Sequence, residues 1–551
     1  MKKESWLKVI GIGLLIGLAA GLCMTMTIGA LRYFLSLASP PELIGDRIAP
    51  LFEPSKFFEL LFSYGGYNQL KQAGIRGVLG GMLGVSMLGG VLYAIIVERA
   101  RRRELTAAGA ASTDKPAERS TNFLSRFTLS TGGVLFAGAF PGVLWLVSVI
   151  ALWPVLDTHY GGLPPTHARL ATLVGLAISY GSYALALVLL HRLMLEPHTV
   201  ANGRKTGDTN APLSGRRSLL VGSLSVLVFG FVANWLIRRK LFDLATFQYD
   251  GLQYLGPDVQ PITPNDRFYT VTKNVIDPRV NKSLWQLEVT GLVERPQTFR
   301  FEDLTALPAV TQETTLMCIS YSVGGGLMSN ARWRGVPMRR LIEAAQPKPG
   351  VVEVLLHAAD GYTDTFALEK AMDETTLVVY EMNGEPLPDR HGYPVRVVVP
   401  GLFGEKNVKW ITRIELVDYD AKGFYEQQGW GPKFQTHTHS RIDGPDLAQP
   451  LKAGVPVMLK GVAFGGDAQG ISKVEVSFDD AQTWHLAKIE YAGSKLAWAL
   501  WSYQWRPEQP GEYKLAVRAA DGAGKPQITQ ERYVIPEGST GLHRIKARVE
   551  A

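Results

Sequence analysis

Residues 391–410 read HGYPVRVVVPGLFGEKNVKW, and this stretch is the most informative part of the chain. Val395–Val399 is a short apolar run that predicts a buried strand, yet Arg396 stands inside it. A buried guanidinium is costly unless it meets an anion or a carboxylate. The glycines that follow, with Lys406 and Lys409, suit a phosphate cradle built from backbone N–H groups and cations. As a bare pattern this is weak, because structural ion pairs account for most such arginines.

A second informative stretch lies upstream, where residues 314–326 read TTLMCISYSVGGG. In it, Cys318 ends a strand-like run that leads into a glycine-rich loop. A free cysteine is commonly an inert, buried small hydrophobe. Glycines, however, allow close approach of a ligand to the backbone, and a lone thiolate is a good ligand for a soft metal. The residues alone leave both interpretations open.

Composition excludes several classes of protein. The 551 residues predict about three or four domains. Hydrophobic residues make up 46% and charged residues 19%, which excludes an intrinsically disordered chain. The net charge of +7 carries no nucleic-acid signature for this length. The two cysteines, Cys23 and Cys318, lie too far apart for zinc ribbons, CxxC redox pairs, haem c attachment or iron–sulfur clusters.

Hydrophobicity is concentrated before residue 240. Five stretches there are free of charged residues and histidine and are long enough for transmembrane helices, which need about 20 apolar residues. Lys and Arg near their ends predict an N-terminus inside, five crossings of the cytoplasmic membrane, and an outer location for everything after about residue 240. The transmembrane region is therefore predicted as 1–240, with helices at 9–31, 77–97, 127–156, 170–190 and 218–237.

The sequence after residue 240 predicts two further domains. Strands such as Trp285–Gly291 and a short helix at Met338–Ala345 interleave without a βαβ rhythm, which predicts an α+β domain over 250–442. A turn-rich linker follows at Asp443–Pro445. Beyond it, short alternating runs predict a small β-sandwich over 446–536. These runs are 456–461, 471–478, 484–490, 497–505 and 511–519.

Taken together, the segments resemble the sulfite oxidase family of mononuclear molybdenum enzymes. The resemblance covers about residues 255–535, including the family's C-terminal immunoglobulin-like domain, and leaves the membrane region outside. It implies a multi-domain fold in which five transmembrane helices precede the α+β and immunoglobulin-like domains. Beside the two stretches quoted above, it rests on TPNDRFY at 263–269, SNARWRGVP at 329–337, GVAFGG at 461–466, VEVSFD at 474–479 and TW at 483–484.

The resemblance implies a molybdopterin cofactor and assigns residues to it. Cys318 would be the catalytic residue that supplies the single protein thiolate to molybdenum. His391 and Arg396 would contact the pterin and its phosphate. The remaining cofactor-binding residues would be Asn407, Val408 and Lys409, closing over the phosphate, Asn265, Tyr269 and Thr270 on the other side, and Thr363, which would add a hydroxyl.

Departures from the family's pattern point away from sulfite. Sulfite oxidases carry an Asn-Arg pair shortly after the ligand cysteine, where this chain has Tyr321 and Ser322. They carry Arg-Asn-His where this chain has Lys273–Val275, and a catalytic Tyr where it has Ala421. A pocket that lacks two arginines and a tyrosine should bind sulfite poorly. The periplasmic methionine sulfoxide reductase catalytic subunit, of the same superfamily, also lacks that pocket. Reduction of an S-oxide or N-oxide is therefore the expected reaction.

Electron supply and export follow from the expected cofactor. Oxygen-atom transfer moves two electrons and needs a redox partner. Because the chain has no haem c motif and no histidine in its predicted helices, the partner is expected to be a cytochrome c or a separate membrane haem subunit. Molybdopterin is inserted in the cytoplasm, so the domain must cross folded. Arg216 and Arg217, before the fifth predicted helix, fit a twin-arginine export signal or, alternatively, two ordinary inside-positive residues.

Two alternative functions stay open on sequence alone. One is a sulfite dehydrogenase that passes electrons to a cytochrome c, and the other is an inactive membrane receptor or assembly protein. Expected partners are the lipid bilayer, a small-molecule or protein-bound oxide and a second copy of the chain, but no nucleic acid. Secondary candidates are Lys422 and Glu426 as substrate contacts. His437 and His439 could share a metal on one strand face, although a surface or pocket-lining role is favoured.

Overall fold

The computed structural model describes residues 3–110, 131–156, 165–195, 235, 239–240, 245–466 and 470–551. These residues divide into two compact units. The first holds the described residues of Met1–Ile48, Gln69–Thr158 and Pro165–Ala245, and the second holds those of Ala49–Asn68 and Thr246–Ala551.

The N-terminal part of the chain is helical. Four of its helices are long and apolar enough to cross a membrane, at Trp6–Leu35, Tyr67–Ala100, Gly132–Val155 and His167–His191. The fifth predicted helix, 218–237, lies outside the described residues except for Trp235. Helix bounds are α1 (Lys3–Leu35), α2 (Pro40–Ile48), α3 (Pro54–Ser63), α4 (Tyr67–Ala110), α5 (Thr131–Leu152) and α6 (Pro165–Leu195).

The predicted bounds of these helices were too narrow, or misplaced, in the described segments. Helix α4 begins ten residues before the predicted 77 because backbone hydrogen bonds continue through polar residues such as Lys71 and Arg76. Helix α5 ends at Leu152, short of the predicted 156, where the 3₁₀ turn Trp153–Val155 introduces a proline. A charge-free stretch therefore marks the apolar part of a helix and not its ends.

The domain predicted as α+β contains one mixed and one antiparallel sheet together with short helices, which confirms that class. Its helix Met338–Ala345 is confirmed at both ends. The elements are β1 (Gln286–Gly291), β2 (Gln297–Arg300), α7 (Phe301–Ala306), β3 (Val310–Met317), β4 (Met328–Pro337), α8 (Met338–Ala345), β5 (Glu353–Ala358), β6 (Thr363–Ala367), α9 (Leu368–Ala371), β7 (Leu377–Met382), β8 (Glu385–Pro386), β9 (Arg396–Val398) and β10 (Ile411–Val417).

One sheet has the order β2-β1-β10-β5-β6, with β1 and β10 parallel, and the other has the order β3-β4-β7-β8, with β9 also paired to β7. Their core contains the fully buried indoles of Trp285 and Trp410. The Trp285 Nε1 donates to the carbonyl of Ile411, 2.9 Å away, so the ring is satisfied as well as packed. Truncating such a residue costs about 3–5 kcal/mol, which keeps the short strand β9 fixed beneath the site described below.

The C-terminal domain is a sandwich of two sheets, with orders β11-β13-β17-β16 and β12-β19-β18-β14-β15. Each predicted run contains a strand, and the run 484–490 holds two. The domain extends beyond the predicted 446–536 at both ends, because β11 pairs with β13 and β19 pairs along its length with β18. The strands are β11 (His439–Gly444), β12 (Leu451–Lys452), β13 (Val457–Phe464), β14 (Ile471–Ser477), β15 (His485–Leu486), β16 (Lys488–Tyr491), β17 (Ala499–Trp505), β18 (Gly511–Asp521) and β19 (His543–Glu550).

Candidate functional site

Cys318 lies immediately after β3, where the strand turns into the glycine-rich loop. Its thiol is buried and its Sγ lies 3.0 Å from the hydroxyl of Ser320. Burial, and next the Glu405 carboxyl, raise the pKa of the Cys318 thiol to about 12, and the contact with Ser320 opposes the rise. Without a cation nearby, the group is therefore an un-ionised thiol at neutral pH.

The backbone approaches Cys318 closely at Gly404. A Cβ at this position would collide with the hydroxyl of Tyr269 and would lie 3.6 Å from the Cα of Cys318. Burial raises the pKa of Tyr269 well above its ordinary value, and the charge of Cys318 is the next cause. The sequence therefore needs glycine at 404 to bring the loop against the cysteine. The structure thus brings Tyr269 and Cys318 together, as expected.

Arg396 is buried in β9, as the sequence indicated. Its guanidinium donates to the carbonyls of His391 at 3.1 Å and Asn407 at 3.0 Å, and it lies 5.1 Å from the ring centroid of Trp333. Burial lowers the pKa of Arg396 to about 10. Within residues 245–466, no carboxylate forms an ion pair with this guanidinium. Its charge is therefore compensated only by carbonyl dipoles and a ring face.

Lys409 and His391 lie beside Arg396. The ammonium of Lys409 donates to the carbonyl of Arg390 at 3.2 Å, and no carboxylate in residues 245–466 forms an ion pair with it. Burial lowers the pKa of Lys409, and burial together with the charge of Arg396 lowers the pKa of His391 well below its ordinary value. Gly392, at φ +108°, lets the chain turn here, since a Cβ would lie 3.0 Å from Arg396 Cβ and 3.1 Å from Lys409 Cβ.

Asn265 and Asn407 hold this group in place. The carbonyl of Asn265 lies 2.9 Å from His391 Nε2, whereas its amide donates to the carbonyl of Met382. The side chain of Asn407 accepts from the N–H of Val399 at 2.7 Å and donates to a carbonyl at 3.0 Å. Both residues therefore reach the site mainly through their backbone.

The other predicted residues contribute less directly. Thr270 is buried and its hydroxyl donates to the carbonyl of Phe268. Val408 packs in the domain core, and its carbonyl accepts from Val397. Thr363 lies at the start of β6, and its carbonyl accepts from the N–H of Phe424 at 2.8 Å. The structure thus places Thr363 beside the loop after β10.

Lys406 does not join the predicted phosphate cradle, which corrects that interpretation. Its ammonium lies 2.6 Å from Asp364 Oδ1 and 3.3 Å from Glu426 Oε2; Lys406 and Asp364 are buried and Glu426 is partly buried. It also lies 3.7 Å from the ring centroid of Phe434. The sequence spacing predicted that Lys406 and Lys409 would lie together. Lys406 ends a 3₁₀ turn and Lys409 lies in the bend that follows, so their side chains point in different directions. Glu426 is likewise engaged in this ion pair, and its expected substrate contact stays a prediction.

We expect Lys406→Met to destabilise the protein by about 3–5 kcal/mol, because it leaves the charges of the buried Asp364 and the partly buried Glu426 without a cation. Equilibrium denaturation of the purified protein measures the change. The matched control is Lys422→Met, since Lys422 pairs with Asp420 at the surface and should cost less than about 1 kcal/mol. Equal effects of the two substitutions would contradict the assignment.

Glu405 is a site residue that the sequence interpretation missed. Both carboxylate oxygens are buried and have no hydrogen-bond partner among the described residues. Burial raises the pKa of Glu405 to about 8, and the charge of Asp364 adds to the rise. The only signal in the sequence was its place between Gly404 and Lys406. A protonated carboxyl therefore lies next to the cysteine at neutral pH.

The raised pKa of Glu405 predicts a pH dependence of stability. The folded-state pKa of Glu405, about 8, exceeds the ordinary carboxyl value of 4.5. The stability that the protonated carboxyl contributes to the folded protein is therefore fully present below about pH 4.5 and is lost as the pH rises through about 8. The thermal midpoint of the wild type should therefore fall more between pH 5 and 9 than that of Glu405→Gln. The exposed Glu302→Gln is the control, and parallel curves for all three proteins would refute the prediction.

In this chain, other side chains occupy the region where sulfite oxidases carry arginine. Tyr321 is buried and its ring lies 5.0 Å from that of His439. The nearby Arg441 is buried but is neutralised by Asp443, at 2.8 and 3.0 Å from its Nε. Lys273 lies 5.1 Å from the ring centroid of Phe424. The described residues therefore place no unpaired arginine in this region.

The secondary candidates Lys422, His437 and His439 all contact other side chains of the protein. Lys422 is exposed and paired with Asp420. His437 Nε2 lies 2.7 Å from the guanidinium of Arg532, and His439 is buried against Tyr321. In the part of the chain that the structure describes, no group of three His, Cys, Asp or Glu side chains could hold a metal ion. The two histidines are therefore not brought together as metal ligands.

Two family models match the chain over this site and the sandwich. Residues 274–425 match the oxidoreductase molybdopterin binding domain, and residues 434–547 match the Mo-co oxidoreductase dimerisation domain. The donor set fits such a cofactor. One buried thiol is available to a metal, and the buried charges of Arg396 and Lys409, which no carboxylate in residues 245–466 pairs, suit an anionic phosphate.

Curated relatives agree with these matches. Mitochondrial sulfite oxidase of Drosophila melanogaster is 26% identical over 313 residues, covering 47% of this chain and 54% of the relative. Nitrate reductase [NAD(P)H] of Hordeum vulgare is 29% identical over 329 residues, covering 48% and 36%. The chain thus spans about half the length of the first relative and about a third of the second. The sulfane dehydrogenase SoxCD structure from Paracoccus pantotrophus matches at 24% identity and a TM-score of 0.47, over 54% of this chain and 85% of that chain.

The fold and the site thus define a molybdopterin-binding oxidoreductase domain followed by a Mo-co dimerisation domain. Over these two segments the chain is similar to molybdenum-cofactor oxidoreductases of the sulfite oxidase family, and the matches imply a molybdenum–molybdopterin cofactor.

Proposed function

We propose that this protein is a membrane-anchored oxidoreductase that reduces a neutral S-oxide or N-oxide outside the cytoplasmic membrane. The observation that carries the proposal is the lining next to Cys318. The hydroxyl of Tyr269 and the protonated carboxyl of Glu405 lie there, and the buried Arg441 beside Tyr321 is neutralised by its own carboxylate. Such a lining suits a neutral oxide better than a sulfite anion.

The cofactor would be held by residues of this chain. Cys318 supplies the protein thiolate, and Arg396 and Lys409 hold the phosphate, with His391 beside it as a neutral ring. When bound there, molybdenum supplies two-electron oxygen-atom transfer. The residues Asn265, Tyr269, Thr270, Asn407 and Val408 fix the walls of this site through the contacts described above, and Thr363 positions the adjacent loop.

Glu405 has a function in this proposal as a proton source. Reduction of an S-oxide or N-oxide to the sulfide or amine and water consumes two electrons and two protons. The carboxyl, whose pKa is raised to about 8 by burial, holds one proton next to Cys318 at pH 7. The second proton comes from solvent, and the electrons come from a separate cytochrome c or membrane haem subunit.

Steady-state assays with a reducing dye test this function. We expect the purified protein to reduce dimethyl sulfoxide or trimethylamine N-oxide and to oxidise sulfite, with a cytochrome c acceptor, at least about 100-fold less efficiently, since the differences in charge-assisted contacts are worth about 3 kcal/mol. Efficient oxidation of sulfite without reduction of any oxide would overturn the proposal.

The second candidate is a sulfite dehydrogenase that passes electrons to a cytochrome c. It is favoured by the relative named sulfite oxidase, although this chain covers only 54% of that protein. The same assay separates the two functions. An inactive receptor or assembly protein would show neither activity.

Membrane anchoring and assembly are further parts of the proposal. Four long apolar helices support an anchor, and the proposed orientation places the N-terminus inside and the site outside. The dimerisation-domain match supports a homodimer. Arg216 and Arg217 lie outside the described residues, and their use as a twin-arginine signal stays a prediction.

A further inference from the structure

The segment 49–68, between α2 and α4, belongs to the same compact unit as the catalytic domain. It contains α3, whose Phe57 is buried, with its ring 6.4 Å from that of Tyr67. The family models match 274–425 and 434–547 and do not include this segment. The segment therefore lies outside the two matched domains.

Tyr67 contacts the loop after β10, which borders the site. Its ring centroid lies 6.4 Å from that of Tyr425, at an interplanar angle of 70°. Tyr425 in turn lies 5.7 Å from Tyr362 and 6.5 Å from Trp430. Burial raises the pKa of Tyr425 well above its ordinary value, and the other causes include first Tyr67 and then Cys318. Tyr362 donates its hydroxyl to the carbonyl of Glu405 at 3.2 Å, so these rings connect Tyr67 with the loop that lies against Cys318.

Asn68 fixes the position of its neighbour. Its amide donates to the carbonyls of Phe247 at 3.1 Å and Asp250 at 3.2 Å. The carboxylate of Asp250 accepts from the N–H of Thr272 at 3.0 Å, and the next residue pairs with Thr270 beside Tyr269. Two consecutive residues of the segment therefore contact two separate stretches of the same unit, Tyr67 the loop after β10 and Asn68 residues 247–250.

We propose that Tyr67 forms the outer wall of the substrate pocket and determines how large an oxide can reach Cys318. The inference rests on the oxide reduction proposed above. Aromatic rings pack against apolar substituents of a neutral ligand without requiring charge. Changing the volume at 67 should therefore change the size limit and leave the chemistry of a small oxide largely unaltered.

Substitutions of opposite size test this assignment in the full-length holoenzyme. The quantity measured is kcat/KM for methyl phenyl sulfoxide divided by kcat/KM for dimethyl sulfoxide. Tyr67→Ala should raise this ratio about tenfold, mainly through KM for the larger substrate, and Tyr67→Trp should lower it, while Tyr67→Phe should keep it. The matched control is Tyr64→Ala, three residues earlier on the same segment, where the side chain is 48% exposed.

The outcomes separate this inference from the proposed function. If the wild type reduces oxides and Tyr67→Ala and Tyr67→Trp both give the ratio of Tyr64→Ala, Tyr67 does not limit substrate size and the inference is wrong. If one variant does not fold, the other still has a predicted direction. If the wild type reduces no oxide at all, the proposed function fails, and the inference fails with it.

Discussion

Replacing Cys318 by serine is expected to lower oxide reduction by about three orders of magnitude or more. A serine hydroxyl is far less acidic than a thiol and would not replace the thiolate at the metal. Loss of a direct ligand should exceed the roughly 10–100-fold effect of losing an outer partner. The dye-linked reduction of dimethyl sulfoxide measures this change in purified protein.

Cys23→Ser is the matched control for Cys318→Ser. Cys23 is a free, exposed thiol in α1, outside the catalytic domain. The Cys23→Ser variant should retain wild-type activity. Because serine nearly matches cysteine in size and can keep a contact with Ser320, Cys318→Ser should also keep the wild-type thermal midpoint within a few degrees. Full activity of Cys318→Ser would contradict the assignment of the metal ligand.

Arg396→Met is expected to cause the second-largest effect, a loss of molybdopterin from the purified protein. The guanidinium is the most deeply buried cation of the site, and truncating a buried charged partner costs about 2–5 kcal/mol, at least about a 30-fold weaker retention. The carbonyls of His391 and Asn407 also lose their donors. Fluorescence of the oxidised pterin released from denatured protein measures the content.

Two further variants are needed to interpret the Arg396→Met result. Arg334→Met is the matched control, since Arg334 lies on β4 of the same sheet with its side chain 52% exposed, and the variant should keep its pterin. Arg396→Lys retains the charge but not the paired donors, so we expect an intermediate content. Wild-type pterin content in Arg396→Met would show that this cation does not hold the phosphate.

The sequence predicted the parts of the site that lie within one short segment. Arg396 in an apolar strand could be recognised because a buried guanidinium needs a specific partner, and the structure buries it as expected. The helix Met338–Ala345 was predicted at both ends, since its apolar residues follow the helical period after a proline. Local patterns of this kind can be predicted because their physical cause lies within the same short segment.

Contacts between distant segments were not predictable in the same way. Lys406 and Lys409 differ by three positions, yet one pairs with Asp364 and the other lies beside Arg390. The partner of Lys406 is 42 positions away on β6 and gives no local signal. Glu405 was missed for the same reason, because its burial depends on segments that only the fold brings together.

The prediction for the membrane region is confirmed only in its coarser form. Four helices are long and apolar enough to cross a membrane, while the fifth lies outside the described residues. Apolar length was sufficient to find the helices. Nothing in the composition of the segment 49–68 indicated that Tyr67 would contact Tyr425.

The most direct measurement of the central claim is the molybdenum content of the purified full-length protein, determined together with its pterin. The account predicts about one molybdenum and one molybdopterin per chain in the wild type, with the metal lost or greatly reduced in Cys318→Ser. A folded wild-type protein without molybdenum, isolated from a host that makes the cofactor, would contradict it.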